Sequence, residues 1–163
     1  MNQAAKAVSN REGKYLTFAL AGEEYGISIL KVKEIIGLMA ITTVPQTPGY
    51  VKGVINLRGK VIPVADLRLK FGMEAMAYTD RTCIVVVEIK GADKTVMMGI
   101  VVDSVSEVLN IKAADIEDTP NFGEKLNSAI ILGMAKANGS VKILLDIDRV
   151  FREEEMCILE QAV

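Results

Sequence analysis

Residues 26 to 36 read Gly-Ile-Ser-Ile-Leu-Lys-Val-Lys-Glu-Ile-Ile, and residues 99 to 109 read Gly-Ile-Val-Val-Asp-Ser-Val-Ser-Glu-Val-Leu. A shift of 73 positions lays Gly26, Ile27, Val32 and Glu34 on Gly99, Ile100, Val105 and Glu107, with aliphatic matches at Ile29/Val102, Ile35/Val108 and Ile36/Leu109. A second echo, at a shift of 80, lays Gly53, Gly59, Val61, Asp66, Leu67 and Phe71 on Gly133, Gly139, Val141, Asp146, Ile147 and Phe151. One small folding unit copied once predicts two similar subdomains with a surface between them. Chance reuse of Gly, Val and Ile is the alternative. The charged identities Glu34/Glu107 and Asp66/Asp146, at kept spacing within their blocks, favour duplication.

The 163 residues are enough for one sizeable core or two small ones without disulfide staples. Half the residues are hydrophobic, yet the longest apolar runs, such as Cys83 to Val87, fall far below the roughly 18 residues that cross a bilayer. Met1 to Gly13 mixes polar and charged residues with alanines, unlike a signal peptide, so a cytoplasmic protein without membrane insertion is expected. The two cysteines, Cys83 and Cys157, suggest neither a disulfide framework nor a metal site.

Histidine is absent from the chain, which removes the commonest general base and the commonest transition-metal ligand. An enzyme would have to rely on carboxylates such as Asp66 or Glu34, and no nucleophile or metal set accompanies them; Asp66 already has a structural task as a helix cap. A net charge of −2 with 5% aromatics argues against a nucleic-acid binder of OB type, which needs a basic footprint and stacking rings. The stretch 52–70 is basic and the stretch 103–124 acidic, a division that suits protein partners.

Along the chain, residues 1–13 read as a disordered lead-in. Period-2 alternation from Lys14 predicts a strand to Leu20, and Ala21 to Glu24 turns the chain into a second strand, Tyr25 to Ile29. Val51 to Leu57, a turn at Gly59 and Val61 to Ala65 form a hairpin, after which Asp66 caps a short helix that Gly72 stops. The second copy repeats this order: strands 82–89, 95–102 and 105–111, an acidic loop over 113–127, then a hairpin 129–145 turning at Asn138-Gly139. A C-terminal helix and tail follow over 147–163. Many short strands with Gly-rich turns predict a mainly β fold of paired small barrels.

The most distinctive block is Gly53-Val-Ile-Asn-Leu-Arg-Gly59, followed by Pro63-Val-Ala-Asp66-Leu-Arg68 and preceded by Pro45 and Pro48. With Ile29-Leu-Lys-Val-Lys-Glu-Ile35 upstream and Gly99-Ile-Val-Val-Asp103-Ser-Val-Ser-Glu-Val108 downstream, the chain from about Lys14 to Phe151 resembles the CheW family. These are scaffold proteins that couple bacterial chemoreceptors to their histidine kinase. The resemblance implies one domain over 14–151, built as two five-stranded barrels of SH3/OB-like type, about 14–79 and 80–146, with some strand exchange. It also implies a standalone, non-catalytic adaptor without cofactor or metal.

The resemblance further implies the roles of individual residues. Arg58, beside Gly59, is expected to hold Glu34 at a receptor-binding surface, and Val32, Val105 and Val108 to line a groove for the helical tip of a methyl-accepting chemoreceptor. Gly53 is expected to shape that groove through its backbone. Leu38, Met39 and Ile41, an apolar edge stretch, and Phe122, in the acidic loop, are expected to contact the regulatory domain of the kinase or a neighbour in the receptor array. Glu117 and Asn121 depart from the basic and acidic residues that many relatives carry there, which puts the polar part of that contact in question. Glu107 has no matching arginine, so only the first copy is expected to keep the polar contact.

Overall fold

The structure, a computed structural model, describes residues 11–91, 94–118 and 128–151. Phe122 and the C-terminal segment beyond Phe151 lie outside the described residues. Eleven strands are described: β1 (Gly13–Leu20), β2 (Glu23–Ser28), β3 (Val32–Gly37), β4 (Val51–Leu57), β5 (Lys60–Asp66), β6 (Cys83–Lys90), β7 (Thr95–Val102), β8 (Ser104–Ile111), β9 (Ile116–Glu117), β10 (Ile131–Ala137) and β11 (Ser140–Leu145). Two single-turn helices, α1 (Leu67–Lys70) and α2 (Ile147–Val150), follow β5 and β11.

The strands form two sheets, ordered β8-β1-β2-β11-β10-β9 and β3-β6-β7-β5-β4. The repeat explains both orders. Replacing each strand of the second sheet by its counterpart in the other copy turns β3-β6-β7-β5-β4 into β8-β1-β2-β11-β10. Each copy therefore sends its first two strands into the other copy's sheet. The two halves of the sequence are the units of duplication, and neither sheet is made from one half alone.

Irregularities recur as well. The ladder slips by one residue between Val51 and Gly53 on β4, and again between Ile131 and Gly133 on β10, 80 positions later. Asp66 donates its backbone N–H to Tyr50, and Asp146 does the same to Ile130, each closing its short helix with a side-chain cap. A bulge kept in both copies is a feature of the folding unit, because losing it would flip the strand beyond onto the wrong face.

The glycines that open the first echo have a packing reason. Gly26 lies beside Leu144 in the parallel pairing of β2 with β11, and Gly99 beside Val64 in the parallel pairing of β7 with β5. A Cβ on Gly26 would meet the Leu144 side chain at 3.0 Å; one on Gly99 would meet Ile84 at 2.7 Å. The main core fills the space between the sheets with Leu16, Phe18, Leu20 and Ile27 from one and Val85, Val87, Met98 and Ile100 from the other. Each such side chain, fully buried, contributes roughly 1.5–3 kcal/mol.

Two expectations are corrected here. The sheets are open rather than closed barrels, one with six strands and one with five. Closure of the five-stranded sheet would need β3 to pair with β4, but the outer edge of β4 is already taken: Thr42 and Val54 exchange both backbone hydrogen bonds at 2.8 Å. In the other sheet β9 takes the edge of β10 in the same way. Arg11 to Gly13, expected in a disordered lead-in, belong to the fold. Gly13 pairs with Ile111, Glu12 accepts from the Ala113 amide at 2.9 Å, and Arg11 donates to the Leu132 carbonyl at 2.9 Å.

Candidate functional site

Arg58 occupies the first position of the β4–β5 turn with φ 52°, followed by Gly59 at φ 87°. Two successive left-handed residues make the tight hairpin turn whose twist suits antiparallel strands, and they throw the Arg58 side chain off the end of the hairpin. It reaches across the open side of its sheet to Glu34 on the edge strand β3. Arg58 Nη1 donates to Glu34 Oε2 at 2.9 Å, and Nη2 donates to Oε1, completing a bidentate fork. The hydrogen bonds from Arg58 hold the Glu34 carboxyl below the usual range, and the guanidinium is correspondingly pushed up. Both groups meet solvent, with 70% of the Arg58 side chain exposed, so the pair's worth for stability is small and its geometry is the informative part.

The second copy builds the same contact with a different donor. Asn138 stands 80 positions after Arg58, in the same left-handed turn, with φ 50° ahead of Gly139 at φ 80°. Its Nδ2 donates to Glu107 Oε1 at 2.9 Å. The expectation that only the first copy keeps a polar contact is therefore corrected: both copies tether the turn to the edge strand, one with a charge and one with an amide. The signal was present in the repeat, since Asn tolerates the left-handed conformation and can donate to a carboxylate.

Val32 and Val105 hold equivalent places and are half-buried, both packed against the core between the sheets. Val108 is different, with 49% exposed; its counterpart Ile35 is 43% exposed, and Val61 and Val141 form a second exposed pair related by the repeat. Gly53 is buried and sits at φ 139°, with a would-be Cβ only 2.0 Å from the Thr42 carbonyl oxygen. Its role is thus to let the backbone at Thr42 lie on β4. Of the apolar stretch, Leu38 is exposed, whereas Met39 and Ile41 are half-buried against the inner cluster of the five-stranded sheet. Only Thr42 pairs there, so Leu38 to Ile41 is an extended connection and not an edge strand.

The carboxylates considered for catalysis are committed elsewhere. Asp66 is buried, accepts from the Leu69 amide at 3.3 Å and from the Tyr78 hydroxyl at 2.7 Å. Burial and that hydrogen bond to Asp66 push the Tyr78 hydroxyl well above its ordinary range. Among the described residues no three of His, Cys, Asp and Glu group so as to hold a metal ion, and no helix is long and apolar enough to cross a membrane. What the sequence did not reveal is a set of ion pairs elsewhere. Lys31 pairs with Asp148, Arg68 with Asp103, and Lys142, itself buried, with Glu24.

The fold is thus a duplicated pair of open β sheets, each with its edge strand tethered to a hairpin turn by an exposed polar contact and with aliphatic side chains on its surface. The match to known proteins is specific: the family model described as CheW-like domain covers residues 14–155, and the chain belongs to that family. It is 38% identical over 147 residues to the chemotaxis protein CheW of Klebsiella aerogenes, covering 90% of this chain and 86% of the relative. It is 34% identical over 155 residues to the chemotaxis protein CheW of Rhizobium meliloti, covering 95% and 97%. The crystal structure of the scaffolding protein TtCheW from Thermoanaerobacter tengcongensis superposes with a TM-score of 0.76 at 35% identity, covering 88% of this chain and 95% of that one.

Proposed function

We infer that this chain is a non-catalytic chemotaxis scaffold that couples methyl-accepting chemoreceptors to the chemotaxis histidine kinase. The observation that carries this reading is membership of the CheW-like family over residues 14–155, a span that takes in the whole two-sheet unit from Lys14 on. Its partners are the cytoplasmic tip of a receptor and the regulatory domain of the kinase. By holding both at once the scaffold raises their effective concentration and transmits receptor conformation without making or breaking a bond. It works in the cytoplasm, drawn to membrane receptor arrays through those partners.

Receptor contact falls to Val32, Val105 and Val108 as aliphatic anchors, with the Glu34–Arg58 fork as the polar element and Gly53 shaping the wall from behind. The bidentate fork supports this assignment, because it fixes two exposed side chains in one orientation between a turn and an edge strand. Kinase or array contact falls to Leu38, with Met39 and Ile41 holding that segment on the sheet, and to Phe122 of the acidic stretch of sequence. The experiment is Arg58→Ala in a receptor-coupled kinase assay. The variant is expected to keep the wild-type thermal transition and to lose about tenfold in receptor-dependent kinase control. A folded variant that couples normally removes Arg58 from the site.

A further inference from the structure

Twice the chain leaves one sheet for the other, between β2 and β3 and between β7 and β8. The first crossover ends immediately before Val32, and the second, Asp103, stands two residues before Val105. At the second crossover Asp103 receives Arg68 of α1 in a bidentate fork, Nε to Oδ1 at 2.7 Å and Nη2 to Oδ2 at 2.9 Å. Asp103 Oδ2 also accepts the Ala21 amide at 2.8 Å, tying in the β1–β2 turn. Burial alone would raise the Asp103 carboxyl; the hydrogen bonds from Arg68 and the Ala21 amide outweigh it and hold the group below its ordinary range.

At the first crossover a related junction is built with the charges transposed and one position along, since by the shift of 73 Lys31 answers to Ser104 and Leu30 to Asp103. Asp148 of α2 stands 80 positions after Arg68, and it pairs with Lys31 of the crossover, Nζ to Oδ2 at 2.6 Å. Asp148 Oδ1 accepts the Lys90 amide at 2.8 Å. Lys90 is the counterpart of Ala21. Thr17 faces Gly26 as Val86 faces Gly99, 69 residues on, and the same step leads from Ala21 to Lys90. In one junction the crossover supplies the carboxylate and the helix the cation; in the other the helix supplies the carboxylate and the crossover the cation. In both, a carboxylate ties a first-hairpin amide to a cation, so three elements meet next to one aliphatic wall residue.

We propose that Lys31–Asp148 and Arg68–Asp103 are transposed clamps that position Val32 and Val105, making these four charged residues positioning residues for receptor binding. This rests on the receptor-coupling reading given above. Neither pair has to touch the receptor. The Arg68 clamp is the more enclosed, with side chains 13% and 18% exposed against 31% and 26% for the Lys31 clamp, so the β2–β3 junction is the weaker of the two.

The transposition supplies its own test. Asp148→Lys removes the acceptor of the Lys90 amide and places two lysines together. Leu30→Asp with Asp148→Lys places a carboxylate at the position that answers to Asp103 and a cation at the one that answers to Arg68, the polarity of the Arg68–Asp103 junction, in which the crossover carboxylate accepts the hairpin amide. By amide hydrogen exchange on the full chain, Lys90 is expected to exchange about tenfold faster in the single variant and to return to within about threefold of wild type in the double. In parallel, a receptor-tip fragment is expected to bind the single variant about tenfold more weakly and the double nearly as well as wild type, with kinase-domain binding unchanged in both. A double variant as unprotected at Lys90 as the single, or a single variant that binds the tip like wild type, overturns the proposal. Failure of the unsubstituted protein to bind the tip overturns the receptor reading and the positioning role together, while exchange at Lys90 still separates a transposable clamp from none.

Discussion

Residue by residue, the two copies solve the same packing problem with different chemistry. Ile62 is buried in the inner cluster of the five-stranded sheet with Met97 against it, and the shifts of 80 and 73 carry these to Lys142 and Glu24. Where one copy packs two apolar side chains, the other buries Lys142 to 4% exposure and pairs it with Glu24 at 2.5 Å, with Ser140 Oγ as a further partner. Removing charges from water costs about as much as their attraction returns, so such a pair is weak support for stability, although stranding one partner is costly. Glu24→Met with Lys142→Ile, which writes the first copy's solution into the second, is expected to leave stability unchanged or raise it by about 1–3 kcal/mol in chemical denaturation. Glu24→Met alone is expected to cost about 1–3 kcal/mol, the lower part of the range reflecting the partly exposed Glu24. A double variant less stable than that single would show that the ion pair holds the fold.

Among the elements, close approach decides which glycines tolerate a side chain. A Cβ at Gly26 would press on the movable end of Leu144, one at Gly99 on the branched Ile84 at 2.7 Å, and one at Gly53 on the Thr42 carbonyl at 2.0 Å from a left-handed backbone. Alanine is therefore expected to cost under about 1 kcal/mol at Gly26, about 1–3 at Gly99 and about 3 or more at Gly53, measured by urea denaturation. A different ranking would contradict the packing described. The strands themselves were legible in the chain: alternation and turn residues placed Val51–Leu57 and Thr95–Val102 at their observed bounds. Sheet membership was not, because a strand's period reports its two faces and carries nothing about its neighbour. Nor could periodicity show that Thr42 occupies the edge of β4 and keeps the barrel open. The Glu34–Arg58 fork was legible through its motif. Asn138 and the clamps are not visible to identity between the copies, because a contact is kept there while an amide replaces a guanidinium or the charges change sides.

At the scale of the whole molecule, duplication with exchange makes one body from two sheets. Each copy's first hairpin is locked in the other copy's sheet, the shared core lies between them, and Val32 and Val105 pack against it at equivalent places after the two crossovers. A body of this kind suits a scaffold, since its value lies in keeping two contact surfaces at a set separation while partners come and go. Differences between the copies, a charged fork on one and an amide on the other, make the two ends of a near-symmetric molecule chemically distinct, which is what holding two different partners requires. The most direct test of the central claim is to mix the full chain with the regulatory domain of a chemoreceptor kinase and a receptor-tip fragment at tens of micromolar and resolve the mixture on a sizing column. The expected result is a single peak that holds all three, with the receptor fragment and kinase domain failing to co-elute when this chain is left out. A mixture that separates into its three components contradicts the account.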